Sequence, residues 1–97
     1  VDEVQTGLGR TGTVWYVEQE DVAPDLLITG KGLSGGLYPI SATVLSPRAA
    51  RWLEEDGWGH VSTFGGAEIG CRVAQAVLDV TTRPGTLDGV QAVSDRL

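Results

Sequence analysis

Methionine is absent from these 97 residues, and lysine, histidine, cysteine and phenylalanine occur once each. Without a methionine there is no start residue, so the segment is expected to be internal to a longer protein. The single cysteine, Cys71, excludes an internal disulfide and any multi-cysteine metal site, and points to a reducing compartment, taken here as cytoplasmic. Basic residues are also few: seven against thirteen acids, for a net charge of −6, with the arginines scattered singly. A groove for nucleic acid or a face for an anionic membrane needs a basic patch, and none is present. No apolar run approaches the eighteen or so residues of a membrane span, and no basic-then-apolar leader opens the chain. What remains, 41% hydrophobic and 21% charged with fourteen glycines, suits one small globular α/β piece with several tight turns and a modest core.

Residues 1–5 read as the end of a buried strand. Gly7, Gly9 and Gly12 then interrupt regular structure. Thr13–Val17 fits a strand or a short helix, and its polar continuation through Asp21 favours the helix. After Pro24, the run Asp25–Thr29 has the unbroken apolar pattern of a strand covered on both faces. Four glycines within residues 30–36 predict a loop, because glycine holds a helix poorly. Ile40–Leu45 is a strand, followed by Ser46 as a helix N-cap, Pro47 at the first helical position and a helix over 48–55. A loop at 56–66 precedes a helix over 67–82, whose apolar face is Ile69, Val73, Ala76, Val77 and Val80, with Gly70, Cys71 and Ala74 as a small-residue strip. Pro84 and Gly85 stop that helix. Thr86 can cap a last one, with Val90, Val93 and Leu97 as its apolar face.

Lys31 is the only lysine among seven basic residues, and no acid lies within five positions of it. At the end of an apolar strand it is either a desolvated amine suited to Schiff-base chemistry or a surface lysine on a glycine loop. Asp2 is either a ligand-binding carboxylate at a strand end or an ordinary turn acid. His60 and Cys71 are a conceivable nucleophile pair, but Cys71 falls among small helical positions and reads as a core residue. Residues 7–12 match GxGxxG, yet Pro24 interrupts the return and the next strand runs into Gly30-Lys31-Gly32 in place of the ribose-binding acid of a dinucleotide fold. A phosphate-binding GxxxxGK[ST] loop fails at both anchors, with Asp25 and Gly32 where Gly and Ser/Thr are required.

The runs Asp2–Gly12 (DEVQTGLGRTG), Pro24–Ile40 (PDLLITGKGLSGGLYPI) and His60–Gly66 (HVSTFGG) together resemble the class-III aminotransferases of the ornithine, acetylornithine and 4-aminobutyrate type. The resemblance implies pyridoxal 5′-phosphate (PLP) as cofactor and a fold-type-I α/β large domain. That domain has a mixed, mostly parallel sheet with flanking helices, and residues 1–97 form an incomplete part of it. Residues 86–97 would begin a helix leading toward the C-terminal domain. It implies that Lys31 forms the Schiff base, that Asp2 binds the pyridinium nitrogen, that Val4 packs on the ring and that Gln5 reaches the ring oxygen. Thr63 would bind the phosphate of a neighbouring subunit's cofactor, which makes a homodimer part of the site. Residues 7–12 become scaffolding. The implied reaction passes an amino group from an amino acid or primary amine to a 2-oxo acid. A racemase or aminomutase of the same family, or a catalytically incomplete fragment, is the alternative. The sequence departs from the family after the third run, where Ala67-Glu68 stand in place of the usual Asn-Pro, and Glu68 receives no substrate role.

Overall fold

A computed structural model describes residues 1–96. The elements in chain order are a 3-10 turn (Tyr16–Gln19), β1 (Leu26–Thr29), a second 3-10 turn (Lys31–Ser34), β2 (Ala42–Leu45), α1 (Pro47–Glu55), α2 (Glu68–Thr81) and α3 (Thr86–Ser94). Leu97, assigned above to the last apolar face, lies outside the described residues.

β1 and β2 pair antiparallel, with Leu26 opposite Leu45 and Thr29 opposite Ala42. On the other side of β1 the first residues of the chain make a single parallel bridge, Asp2 to Ile28. Ile28 N–H donates to Val1 O at 3.0 Å and Glu3 N–H to Ile28 O at 2.7 Å. The expected mixed sheet is thus represented, among the described residues, by two antiparallel strands and one parallel bridge. β1 is not covered on both faces. Leu27 and Thr29 are buried while Leu26 and Ile28 are exposed, the alternation of a half-covered strand.

Ser46 caps α1 as expected, accepting from Ala49 N–H at 3.2 Å, with Pro47 at the first helical position. The cap is tied to the strand: Ser46 N–H donates to Asp25 O, and Ser46 Oγ and the Arg48 guanidinium both donate to the Asp25 carboxylate. Those donors hold the Asp25 carboxyl below the usual carboxylate range, Arg48 contributing most and Ser46 next.

α2 lies on the 30–40 segment, but through a ridge rotated from the one the periodicity suggested. Gly70 and Thr81 are buried, and Val73, Ala74, Val77 and Leu78 are half-buried. A Cβ on Gly70 would come within 3.1 Å of the Tyr38 ring, so glycine lets the helix approach there without pushing the ring aside. Ile69, Ala76 and Val80 turn outward and line an open apolar cavity of about 740 Å³ with Leu8 and Leu37. Cys71, next to Gly70 and about 100° around the helix, is exposed and not a core residue. The glycines of 30–36 do not prevent a short turn: Lys31–Ser34 forms a 3-10 helix closed by Gly35 in the left-handed region. Thr86 does not cap α3; its hydroxyl donates to Val80 O at 3.1 Å instead.

The chain closes over little core of its own. Only Val17, Leu27 and Leu33 are buried apolar residues among those described. The accessible surface is 7072 Å², against about 5300 Å² for a compact monomer of this mass. Much of the excess is apolar, including Leu37, Trp58, Val61, Phe64 and Ile69.

Candidate functional site

The parallel bridge puts the Asp2 arm beside β1, so both chain segments reach the same sheet edge running in the same direction. Asp2 sits beside Ile28, and Lys31 follows Ile28 by three residues, about 10 Å at the rise of a strand. A ligand touching both must lie along this edge, the carboxyl end of the strands where open α/β sheets bind their ligands.

Lys31 is held in an unfavourable backbone state. Its φ of 43° is in the left-handed region, one of three such non-glycine residues among those described, a conformation that costs about 1–2 kcal/mol for an L-residue. Ser34 Oγ donates to Lys31 O at 2.7 Å and itself accepts from Gly36 N–H at 3.1 Å, which fixes the turn. The side chain is exposed, and the enclosed amine considered from the sequence is not what this chain forms. Its Nζ donates to Gln5 Oε1, joining residues 26 positions apart. Asp2 is also exposed, and its Oδ1 accepts from Val4 N–H at 2.9 Å, while Oδ2 has no partner among the described residues. Val4 is half-buried between them.

The turn carrying Val4 and Gln5 is closed by Gly7 N–H donating to Glu3 O at 3.0 Å. Gly7 is required there, because a Cβ would lie 2.8 Å from Glu3 O and 2.8 Å from the Trp15 ring. Gly9 has φ +87°, and a Cβ on it would meet Leu87 of α3 at 3.1 Å. Two of the GxGxxG glycines are therefore explained by backbone approach and left-handed turns inside the chain, the scaffolding expected of them.

The sequence motif gives roles to Asp2, Val4 and Gln5 and none to Glu3 among them. Glu3 is 2% exposed. Its carboxylate accepts from Val17 N–H at 2.7 Å and from the Thr6 hydroxyl. Burial pushes its carboxyl up, but the Thr6 hydroxyl and the Val17 and Tyr16 backbone N–H groups outweigh that and hold it below its ordinary value of 4.5. The alternation of a strand end was the available signal, since it turns Asp2 and Glu3 to opposite faces.

Thr63 does not join this group. It lies in the exposed 56–66 loop, where Ser62, Phe64 and Gly65 line a smaller cavity of about 230 Å³ with Tyr38 and Ile40. His60 is exposed in the same loop. One hydrogen bond joins Asp2 to Val4 and another joins Gln5 to Lys31, and among the described residues none joins Thr63 to any of the four. The donor set fits the pyridoxal half of PLP: a carboxylate for the ring nitrogen, an amide for the ring oxygen and a primary amine for the aldehyde.

The sequence model of the class-III aminotransferase family matches residues 1–97. An uncharacterized aminotransferase of Archaeoglobus fulgidus is 52% identical over 97 residues, which cover all of this chain and 23% of that protein. The acetylornithine aminotransferase of Pseudomonas putida is 44% identical over 98% of this chain and 23% of its own length. Among solved structures, the ornithine aminotransferase of Toxoplasma gondii superposes with a TM-score of 0.75 at 44% identity, covering 82% of this chain and 18% of that one, and it holds PLP at partial occupancy in its active site. The chain spans less than a quarter of the length of these relatives.

Proposed function

The chain belongs to the class-III aminotransferase family, and from that membership we propose that it builds half of a PLP site in an enzyme passing an amino group from an amino acid or primary amine to a 2-oxo acid. The observation that carries this reading is the meeting of Lys31 Nζ with Gln5 Oε1 at the strand edge that Asp2 also reaches. When bound, PLP supplies an aldehyde that takes up the amino group and a ring that draws off the electron pair released at the donor's Cα. Asp2, as an ionised carboxylate, holds a proton on the ring nitrogen, which a neutral amide could not favour equally. Val4 would pack against the ring, and the Gln5 amide would reach the ring oxygen. Lys31 would take the proton from the donor's Cα and pass it to the cofactor carbon that carried the aldehyde, so one residue would anchor the cofactor and act as general base.

Thr63 is assigned to the phosphate of a neighbouring subunit's cofactor, which makes the working unit a homodimer. Residues 1–97 are read as part of the large, fold-type-I domain of a cytoplasmic enzyme, with 86–97 leading toward the C-terminal domain. Among the described residues no helix is long and apolar enough to cross a membrane.

Replacing Lys31 by Ala in the PLP-loaded protein should abolish both the yellow chromophore and turnover. A Lys31→Ala protein that stays yellow and active refutes the assignment. Isotope label on the donor amine should appear in the 2-oxo acid acceptor; label that stays with the donor skeleton instead identifies a racemase or aminomutase.

A further inference from the structure

Glu3 is the only buried carboxylate among the described residues, and it stands next to Asp2 without sharing its task. Its four hydrogen bonds reach three separate segments. The N–H donates to Ile28 O and anchors the arm on β1. The carbonyl accepts from Gly7 N–H and closes the turn over Gln5. Oε1 accepts from Val17 N–H in the 3-10 segment, and Oε2 accepts from the hydroxyl of Thr6, the residue that follows Gln5. Gln5 is thus flanked by two residues that are each pinned to a carboxylate, Val4 to Asp2 and Thr6 to Glu3.

We propose that Glu3 is a positioning residue that holds the Gln5 amide at the edge where it would meet the ring oxygen, and so sets how firmly PLP is retained there. The proposal rests on the PLP reading of the preceding section. A turn spanning four residues has many backbone states, and Glu3 removes most of them from three directions at once. Two backbone bonds would close the turn without the side chain. The carboxylate adds the tie to Thr6 and Val17, and it stays ionised because its donors outweigh its burial. Glutamine in its place keeps an acceptor for Val17 N–H and offers its NH₂ to the Thr6 hydroxyl, which can accept as well as donate. Alanine keeps neither.

The test is a visible-absorbance titration with PLP of Glu3→Ala, Glu3→Gln, Gln5→Ala and the Glu3→Ala/Gln5→Ala double variant, prepared as the apo forms of the holoenzyme. Glu3→Ala should weaken PLP about 3- to 10-fold, the worth of roughly one hydrogen bond from Gln5 to the ring oxygen. Glu3→Gln should restore most of that loss, and Glu3→Ala should add little once Gln5 is already Ala. If the Glu3→Ala effect is undiminished in the Gln5→Ala background, or if PLP affinity does not move, the proposal is overturned. Should Glu3→Ala fail to fold, Thr6→Val cuts the tie beside Gln5 with the Val17 bond intact. It should weaken PLP in the same direction, and unchanged affinity overturns the proposal equally. Lys31→Ala, titrated alongside, separates the two claims. If it keeps the absorbance of the Schiff base, the assignment of Lys31 fails. If it loses the chromophore while Glu3→Ala and Thr6→Val leave affinity untouched, only the role of Glu3 fails.

Discussion

Gly7→Ala tests whether the GxGxxG stretch serves backbone approach. The added Cβ would stand 2.8 Å from Glu3 O and 2.8 Å from two carbons of the Trp15 ring. One neighbour is backbone and the other a ring of limited freedom, so the turn must open to accept the methyl group. Overpacking of this kind costs about 1–3 kcal/mol. Against it stands the gain of about 0.4–1 kcal/mol from stiffening the unfolded chain, which leaves a net loss of about 1–2 kcal/mol. Gly57→Ala is the control: its Cβ meets nothing within 4 Å and its φ is not positive, so only the unfolded-state gain remains and the variant should be neutral to slightly stabilising. Denaturant unfolding of the two variants measures the difference. Opening the turn also moves Glu3 O and loosens Gln5, so PLP affinity should fall with stability in Gly7→Ala and hold in Gly57→Ala. If Gly7→Ala proves as stable as the parent, the packing argument for this glycine is wrong. If stability drops with PLP affinity intact, the turn does not govern the cofactor edge.

Ser46→Ala removes the hydroxyl that caps α1 and donates to Asp25, and should destabilise by about 1 kcal/mol in denaturant unfolding. Asp25 has a carboxyl pKa lowered in the folded state from its ordinary 3.8 by Arg48 and then Ser46. Its stabilising contribution is therefore complete above that ordinary value and is lost as pH falls through the lower folded value. Asp25→Asn should flatten that acid limb of the stability profile, and an unchanged limb would show that the carboxylate contributes nothing. Thr63→Val should weaken retention of PLP while leaving binding of pyridoxal, which lacks the phosphate, unchanged; equal losses for both ligands would remove the phosphate assignment.

Local chemistry alone determined a good part of this protein. The serine and proline opening α1, the apolar run of β1, the β-branched run of β2 and the helical period over 68–81 are decided by residues within a few positions of one another, and each element formed where those residues said. The three quoted runs likewise carried the family. Tertiary structure decided which side of each element is used. The apolar stripe of α2 is wider than the surface that covers it, so the ridge of Gly70, Val73, Val77 and Thr81 is seated while Ile69, Val80 and Cys71 face out. Periodicity finds a stripe but not its contact line, which depends on where Tyr38 and Gly35 arrive from elsewhere in the chain. The same holds at the candidate site. The bond from Lys31 to Gln5 and the burial of Glu3 against Val17 join residues 26 and 14 positions apart, and no local rule reaches that far. Strand alternation sets Asp2 and Glu3 on opposite faces without saying which face is covered. Only the pairing of their arm with β1 decides that, leaving Asp2 exposed and burying Glu3 against Val17.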